Sequence, residues 1–391
     1  MHLFDEKRHE RLVDDPWDAA AAANAIRDVA AEALAASRNG LWPAHPLDDM
    51  PDDCATLYTG AAGMLWGLSH LASVGAIEAD ERIGAWACEL PARYRAAPDT
   101  GSRVPSYLLG ETGVLLTALR ARPCAEWFDD LLAAVNSNIE NPTLEALWGA
   151  PGTMLAAVFA ADLNADERWR EAYAANVASL VRTWLPHEGD ACDLWMQDLY
   201  GKRQKYLGPA HGFAGNVYGM LRRPDWLAST ERASIQARAI HALHATAVVD
   251  GDCANWPPVA GRFDKMLVQW CHGAPGMVTA FGTLPRDDVL DELLAKGGEL
   301  TWRAGPLTKG SSLCHGTAGN GAAFLTLFAR TGDSTWLERA RRFAMHSIRQ
   351  LAAARAQYGR GRYSLWTGDV GVAIYLRQCI AGTSGLPSLD F

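Results

Sequence analysis

Cys271 and Cys314 are each followed by a histidine and a glycine, in WCHGAPG and LCHGTAGN, and a further histidine, His211, precedes glycine in AHGFAGN. Thiolates and imidazoles are metal donors. If these segments meet, two thiols and up to three imidazoles (His211, His272 and His315) face one point. Two Cys and one His make a tetrahedral zinc site with one position open, the arrangement of catalytic rather than structural sites. Soft thiolates favour zinc over magnesium or calcium. The plainer alternative is two buried cysteines beside helix starts.

A repeat supplies the reason for them to meet. Gly-x-x-Gly leading into an apolar stretch recurs at Gly60, Gly110, Gly149, Gly212, Gly273, Gly316 and Gly368. The spacing of roughly 40 to 60 residues suits two helices plus loops per repeat. The first glycine can take a backbone conformation closed to other residues, and both glycines permit close backbone approach. Pro151 and Pro275 fall where a first-turn proline is tolerated. Aligned on the first glycine, the preceding residues are Thr59, Leu109, Trp148, His211, His272, His315 and Thr367. Cys271 and Cys314 therefore share one structural position in neighbouring repeats.

The apolar stretches are hydrophobic all round, as buried helices are. Amphipathic helices are expected between them, near 17–36, 165–184, 229–248 and most clearly 335–354. There, Asp333–Thr335 supplies cap residues and Glu338 a capping-box partner for Thr335. No run of β-type alternation is visible. Seven buried helices alternating with seven amphipathic ones predict an all-α fold, an α/α toroid with a double ring of seven inner and seven outer helices. It forms one domain over 1–391, with an N-terminal arm and first outer helix in 1–50 and the seven repeats in 51–391. The alternative is an open helical solenoid.

With 49% hydrophobic and 21% charged residues the chain has ordinary globular composition. A net charge of -9 argues against nucleic-acid binding, which needs clustered Lys and Arg. No apolar run is long enough to span a membrane, and the charged N-terminus lacks the apolar core of a signal peptide, so a cytoplasmic location is expected. The eight cysteines are not expected to form a disulfide framework. Most of the 15 tryptophans are expected to pack in the core.

WCHGAPG, LCHGTAGN, AHGFAGN and the seven Gly-x-x-Gly units resemble the lanthionine synthetase C family over essentially the whole chain from Gly60. The resemblance implies zinc at one end of the inner barrel, held by Cys271, Cys314 and His315, with His211 at the position of the family's catalytic histidine. It is closer to the stand-alone, eukaryotic-type LanC-like proteins than to lantibiotic cyclases. Cyclases carry an Arg four residues before the first zinc Cys, where this chain has Leu267. KGSSLCHGTAGN, with Lys309, and the C-terminal LPSLDF also resemble the stand-alone group.

That group is associated with glutathione and with its addition to dehydroamino acids made by eliminating phosphate from phosphoserine or phosphothreonine. The expected reaction is zinc-dependent addition of a thiol, glutathione or another, to a dehydroamino acid in a peptide or protein. Only a thiolate attacks, and His211 is the expected acid that protonates the resulting carbanion. Glu145 is expected to bind substrate or tune His211, and His272 to orient a ligand or substrate. Lys309 is expected to neutralise a phosphate or carboxylate. Arg362, with Arg8, Arg11 and Arg360, is a further candidate anion contact. The alternatives are a glutathione-binding or regulatory protein without turnover, and a lanthipeptide cyclase acting with a separate dehydratase.

Overall fold

The first glycine of each Gly-x-x-Gly unit is the N-cap of a helix. A computed structural model describes every residue except Met1, Asp49, His187, Glu188 and Asp190. Among the described residues are fourteen α-helices. In chain order they begin with α1 (Ala19–Ala36), α2 (Ala61–Ser73), α3 (Glu81–Ala96), α4 (Glu111–Ala121) and α5 (Ala125–Ser137). Then come α6 (Ala150–Asn164), α7 (Arg168–Thr183), α8 (Phe213–Met220), α9 (Ser229–Thr246) and α10 (Ala274–Phe281). The last are α11 (Asp288–Ala304), α12 (Thr317–Thr331), α13 (Ser334–Tyr358) and α14 (Asp369–Ala381). Gly60, Gly110, Gly149, Gly212, Gly273, Gly316 and Gly368 cap the even-numbered helices.

The two helix kinds differ as their sequences require. In α6, Ala150–Ala160 is buried without interruption, and α10 is buried from end to end. In α13 burial follows a stripe through Trp336, Ala340, Phe343, Ala344, Ser347 and Leu351. Burying a large apolar side chain is worth about 1.5–3 kcal/mol, so the continuous stretches hold the core. Six tryptophans, Trp66, Trp169, Trp184, Trp195, Trp256 and Trp366, are fully buried there. None of the eight cysteines is in a disulfide. No described helix is long and apolar enough to cross a membrane.

The helices gather into two compact units interleaved along the sequence. One comprises Met1–Asp5, Pro105–Leu108 and Pro123–Ala304. In it α6 packs on α8 and α8 on α10, with α5 and α7 against α6 and α11 against α10. The other comprises Glu6–Val104, Leu109–Arg122 and Gly305–Phe391. In it α12 packs on α14, α14 on α2 and α2 on α4, with α13, α1 and α3 covering them.

Local details depart from the sequence expectations. The α13 helix starts at Ser334, capped by Asp333, whose carboxylate accepts the Thr335 N–H at 2.9 Å. Thr335 therefore lies inside the first turn, and no capping box with Glu338 forms. Two short antiparallel hairpins, absent from the sequence reading, join the helices. They are β1 (Gln197–Leu199) with β2 (Lys202–Gln204), and β3 (Val248–Asp250) with β4 (Cys253–Asn255).

The tail beyond α14 folds back onto α2. The Trp66 indole N–H donates to the Phe391 carbonyl at 3.1 Å, and the Phe391 ring stacks on His70 with centroids 4.1 Å apart. Burial, then the charges of Arg120 and Arg377, push the His70 pKa down to about 4 from an ordinary 6.5. Between those two values the unfolded chain binds more protons at this site than the folded one, so stability falls as pH drops through the window. His70→Phe is expected to flatten the acid limb of the urea midpoint plotted against pH between 6.5 and 4. Parallel limbs for the two proteins would refute this assignment.

Candidate active site

The loops that enter the even-numbered helices are pressed against the helix starts, and this sets the side chains just before each cap. A Cβ at Gly276 would lie 1.9 Å from the Trp270 carbonyl oxygen, and one at Gly212 2.0 Å from that of Tyr206. Close approach is thus what these positions require. A conformation closed to other residues occurs at only one first glycine of the seven, Gly273 with φ +111°. The Gly at the other six caps has negative φ.

Cys271 lies in a tight turn in which Gln269 and His272 exchange backbone hydrogen bonds of 3.1 Å. Its thiol is buried and accepts the Gln269 side-chain amide at 3.0 Å. Asn255, fully buried on β4, braces the same loop: its amide donates to the Leu267 carbonyl at 3.1 Å and accepts the Ala274 N–H at 2.8 Å. Cys314 is buried too, and its N–H donates to the Trp366 carbonyl at 2.9 Å. Cys271, Cys314 and His315 are residues that could hold a metal ion.

His211 and Glu145, 66 positions apart, form a part-buried pair. The His211 Nδ1 lies 3.0 Å from Glu145 Oε2. The Glu145 side chain is wholly buried. Its carboxylate also accepts the N–H groups of Leu147 at 3.1 Å and Trp148 at 2.6 Å. A carboxylate saturated with donors in this way accepts from Nδ1–H, which leaves His211 Nε2 as the atom free to exchange a proton. Burial alone would lower the imidazole pKa. The hydrogen bond and charge of Glu145, with a smaller push from Cys271, outweigh it and raise the pKa above the ordinary value.

Of the other sequence candidates, His272 joins this pair, its ring stacked on His211 with centroids 5.7 Å apart. Lys309 is exposed on the loop ahead of Cys314. Arg362 is committed elsewhere: its Nε lies 3.1 Å from both oxygens of Asp48, in a pair where each side chain is mostly buried. Arg360 donates to the Ala44 carbonyl. Sequence reasoning missed the rings that enclose His211, Tyr206 at 6.2 Å and Tyr200 at 6.1 Å. The available signal was LYGK at 199–202, a turn dipeptide between two polar stretches.

Residues 51–390 match the family model described as lanthionine synthetase C-like protein. The chain belongs to the lanthionine synthetase C-like family. It is 28% identical over 347 residues to "Glutathione S-transferase LANCL1" of Danio rerio, covering 82% of this chain and 80% of that protein. It is 32% identical over 189 residues to "LanC-like protein GCL1" of Arabidopsis thaliana, covering 46% and 42%. These relatives are stand-alone proteins of the eukaryotic type, as the sequence motifs implied. Among solved structures, nisin cyclase superposes with a TM-score of 0.62 at 16% identity, covering 83% of this chain and 88% of that one. The fold of this LanC-like chain is accordingly of the α/α toroid type. Members of the family typically bind zinc.

Proposed function

We propose that this LanC-like protein is a zinc-dependent enzyme that adds a thiol of the glutathione type to a dehydroamino acid in a peptide or protein. The observation that carries the reading is the part-buried His211–Glu145 pair in a chain whose Cys271, Cys314 and His315 could hold a metal ion. The donor set fits zinc. Two soft sulfurs and one imidazole leave a fourth tetrahedral position open, whereas a structural site would be closed by a fourth protein ligand. When bound there, Zn²⁺ keeps a thiol deprotonated at neutral pH and so supplies the nucleophile.

The chain's residues do the rest. The sulfur bonds to Cβ of the alkene, the π bond breaks, and its electron pair moves toward Cα and the adjoining carbonyl. His211 Nε2 delivers a proton to Cα, and Glu145 holds the imidazole by Nδ1 so that Nε2 faces outward. Run in the opposite sense, the same nitrogen removes the α-proton of a phosphoserine or phosphothreonine residue while phosphate leaves. That step would generate the alkene in place.

The test is to incubate the zinc-loaded protein with glutathione and either a dehydroalanine peptide or the matching phosphoserine peptide, then read product mass. A thioether adduct is expected from the first and, through elimination, from the second. Saturable binding of glutathione without any adduct from the dehydroalanine peptide would overturn the enzyme reading in favour of a binding protein. Adducts between a peptide's own cysteine and dehydroalanine, formed in preference to the glutathione product, would point to cyclisation instead.

A further inference from the structure

We infer that the β1–β2 hairpin is a clamp that positions Glu145, and through it His211, with Gln197 as its inner contact and Tyr200 as its outer one. The inference rests on the reading of His211 as the proton-transfer group.

The loop that presents Glu145 is not in a relaxed conformation. Leu144, the residue before it, has φ +45°, a region that costs a branched side chain about 1 kcal/mol or more. Something must hold it there. Two side-chain amides donate to its carbonyl: Gln197 Nε2 at 3.3 Å and Asn216 Nδ2 at 3.0 Å. Asn216 thus braces the loop of the preceding repeat, not the start of its own helix. Gln197 is fully buried, and its Oε1 accepts the Tyr206 N–H at 2.8 Å. The amide is therefore fixed at both ends. Tyr206 in turn accepts the Phe213 N–H at 3.0 Å, two residues past His211. One buried side chain joins the segment carrying Glu145 to the segment carrying His211.

The hairpin holds the same loop at two further points. The Asp198 N–H donates to the Pro142 carbonyl at 3.0 Å. At the hairpin tip, the Tyr200 hydroxyl accepts the Trp148 indole N–H at 3.0 Å, and the backbone N–H of Trp148 is the one that donates to Glu145 Oε1. Contacts at 142, 144 and 148 thus bracket Glu145 on both sides. Tyr200 itself has φ +52°, followed by Gly201 at +70°. Two such residues in succession make the tight turn that suits a hairpin, which Asn or Gly adopts with less strain than Tyr. Tyr200 is 66% exposed, so burial does not account for a tyrosine there. Its ring edge against His211 and its hydroxyl on Trp148 do.

Gln197→Leu, Tyr200→Phe and Tyr200→Gly test this with thiol-addition kinetics, zinc content, thermal melting and the ¹⁵N signals of the His211 imidazole at one fixed pH. Gln197→Leu is expected to lower kcat about tenfold, the scale of a modest misplacement of a catalytic group, with KM for the thiol and zinc content unchanged. The Glu145-bonded Nδ1–H signal of His211 should shift or broaden. Tyr200→Gly relieves the turn, so its melting temperature should hold or rise while kcat falls. Tyr200→Phe should lower kcat by a smaller factor. If Gln197→Leu does not fold, the two surface variants carry the test. A kcat within twofold of wild type with an unmoved His211 signal in the folded variants would overturn the clamp. Full activity in His211→Asn would instead remove the proton-transfer reading beneath it.

Discussion

Cys314→Ala is expected to leave a folded protein that no longer holds stoichiometric zinc and turns over at least about a thousandfold more slowly, the scale of losing several kcal/mol of metal assistance. Only two donors, Cys271 and His315, would remain of the three. Two ligands give neither the charge nor the geometry that a divalent ion needs to compete with water. The loss is also electrostatic. Two thiolates neutralise a divalent ion, so that a third sulfur joining them stays electron-rich. With one thiolate removed, any ion still present would draw charge from the incoming sulfur and weaken it as a nucleophile.

The fold should survive, because the substitution removes a single sulfur beside the α12 cap and leaves the Cys314 N–H on the Trp366 carbonyl. A small buried truncation costs about 1 kcal/mol, which a modest drop in melting temperature would register. The decisive measurement is metal content after dialysis against a weak chelator. One full equivalent of zinc in the variant would remove the metal assignment, whatever happened to activity.

What could be read from the residues alone divides by sequence distance. The Gly-x-x-Gly units were legible because both glycines answer to atoms of their own loop, such as Gly276 against Trp270 six positions back. The seven caps and the stripe of α13 followed from local pattern. Of the two roles read for the first glycine, the conformation closed to other residues occurs only at Gly273 while close approach accounts for caps such as Gly212, since both leave the same mark in a sequence. The α13 cap was misplaced by two residues, Thr335 for Asp333, because Asp333, Ser334 and Thr335 are all competent caps. The hairpins escaped because strands of three residues are too short to show alternation. The braces of the Glu145 loop escaped for another reason. Gln197 and Asn216, which hold the Leu144 carbonyl, lie 53 and 72 positions from Leu144 by their numbering, and no periodicity spans that gap. The acidic residue was legible as a candidate that binds substrate or tunes His211, while its saturation by the N–H groups of Leu147 and Trp148 was not.

His211→Asn is the second variant with a large expected effect, and it separates proton transfer from thiol activation. Asn keeps a polar group of similar reach beside Glu145 but cannot cycle a proton near neutral pH. A general acid of this kind contributes about 10²- to 10⁴-fold, and kcat should fall within that span. Zinc content and the binding of glutathione should stay at wild-type levels, because His211 is not among the metal-holding group. Glu145→Gln should fall between wild type and His211→Asn. The amide can still accept one hydrogen bond from the imidazole, yet its NH₂ faces donors that the carboxylate accepts, the N–H groups of Leu147 and Trp148. That conflict turns the side chain and loosens the imidazole without removing it. The two substitutions made together should cost no more than His211→Asn alone, since Glu145 acts through the imidazole. Independent, multiplying losses would mean that Glu145 touches the substrate directly, and the pair would have to be read as two separate groups.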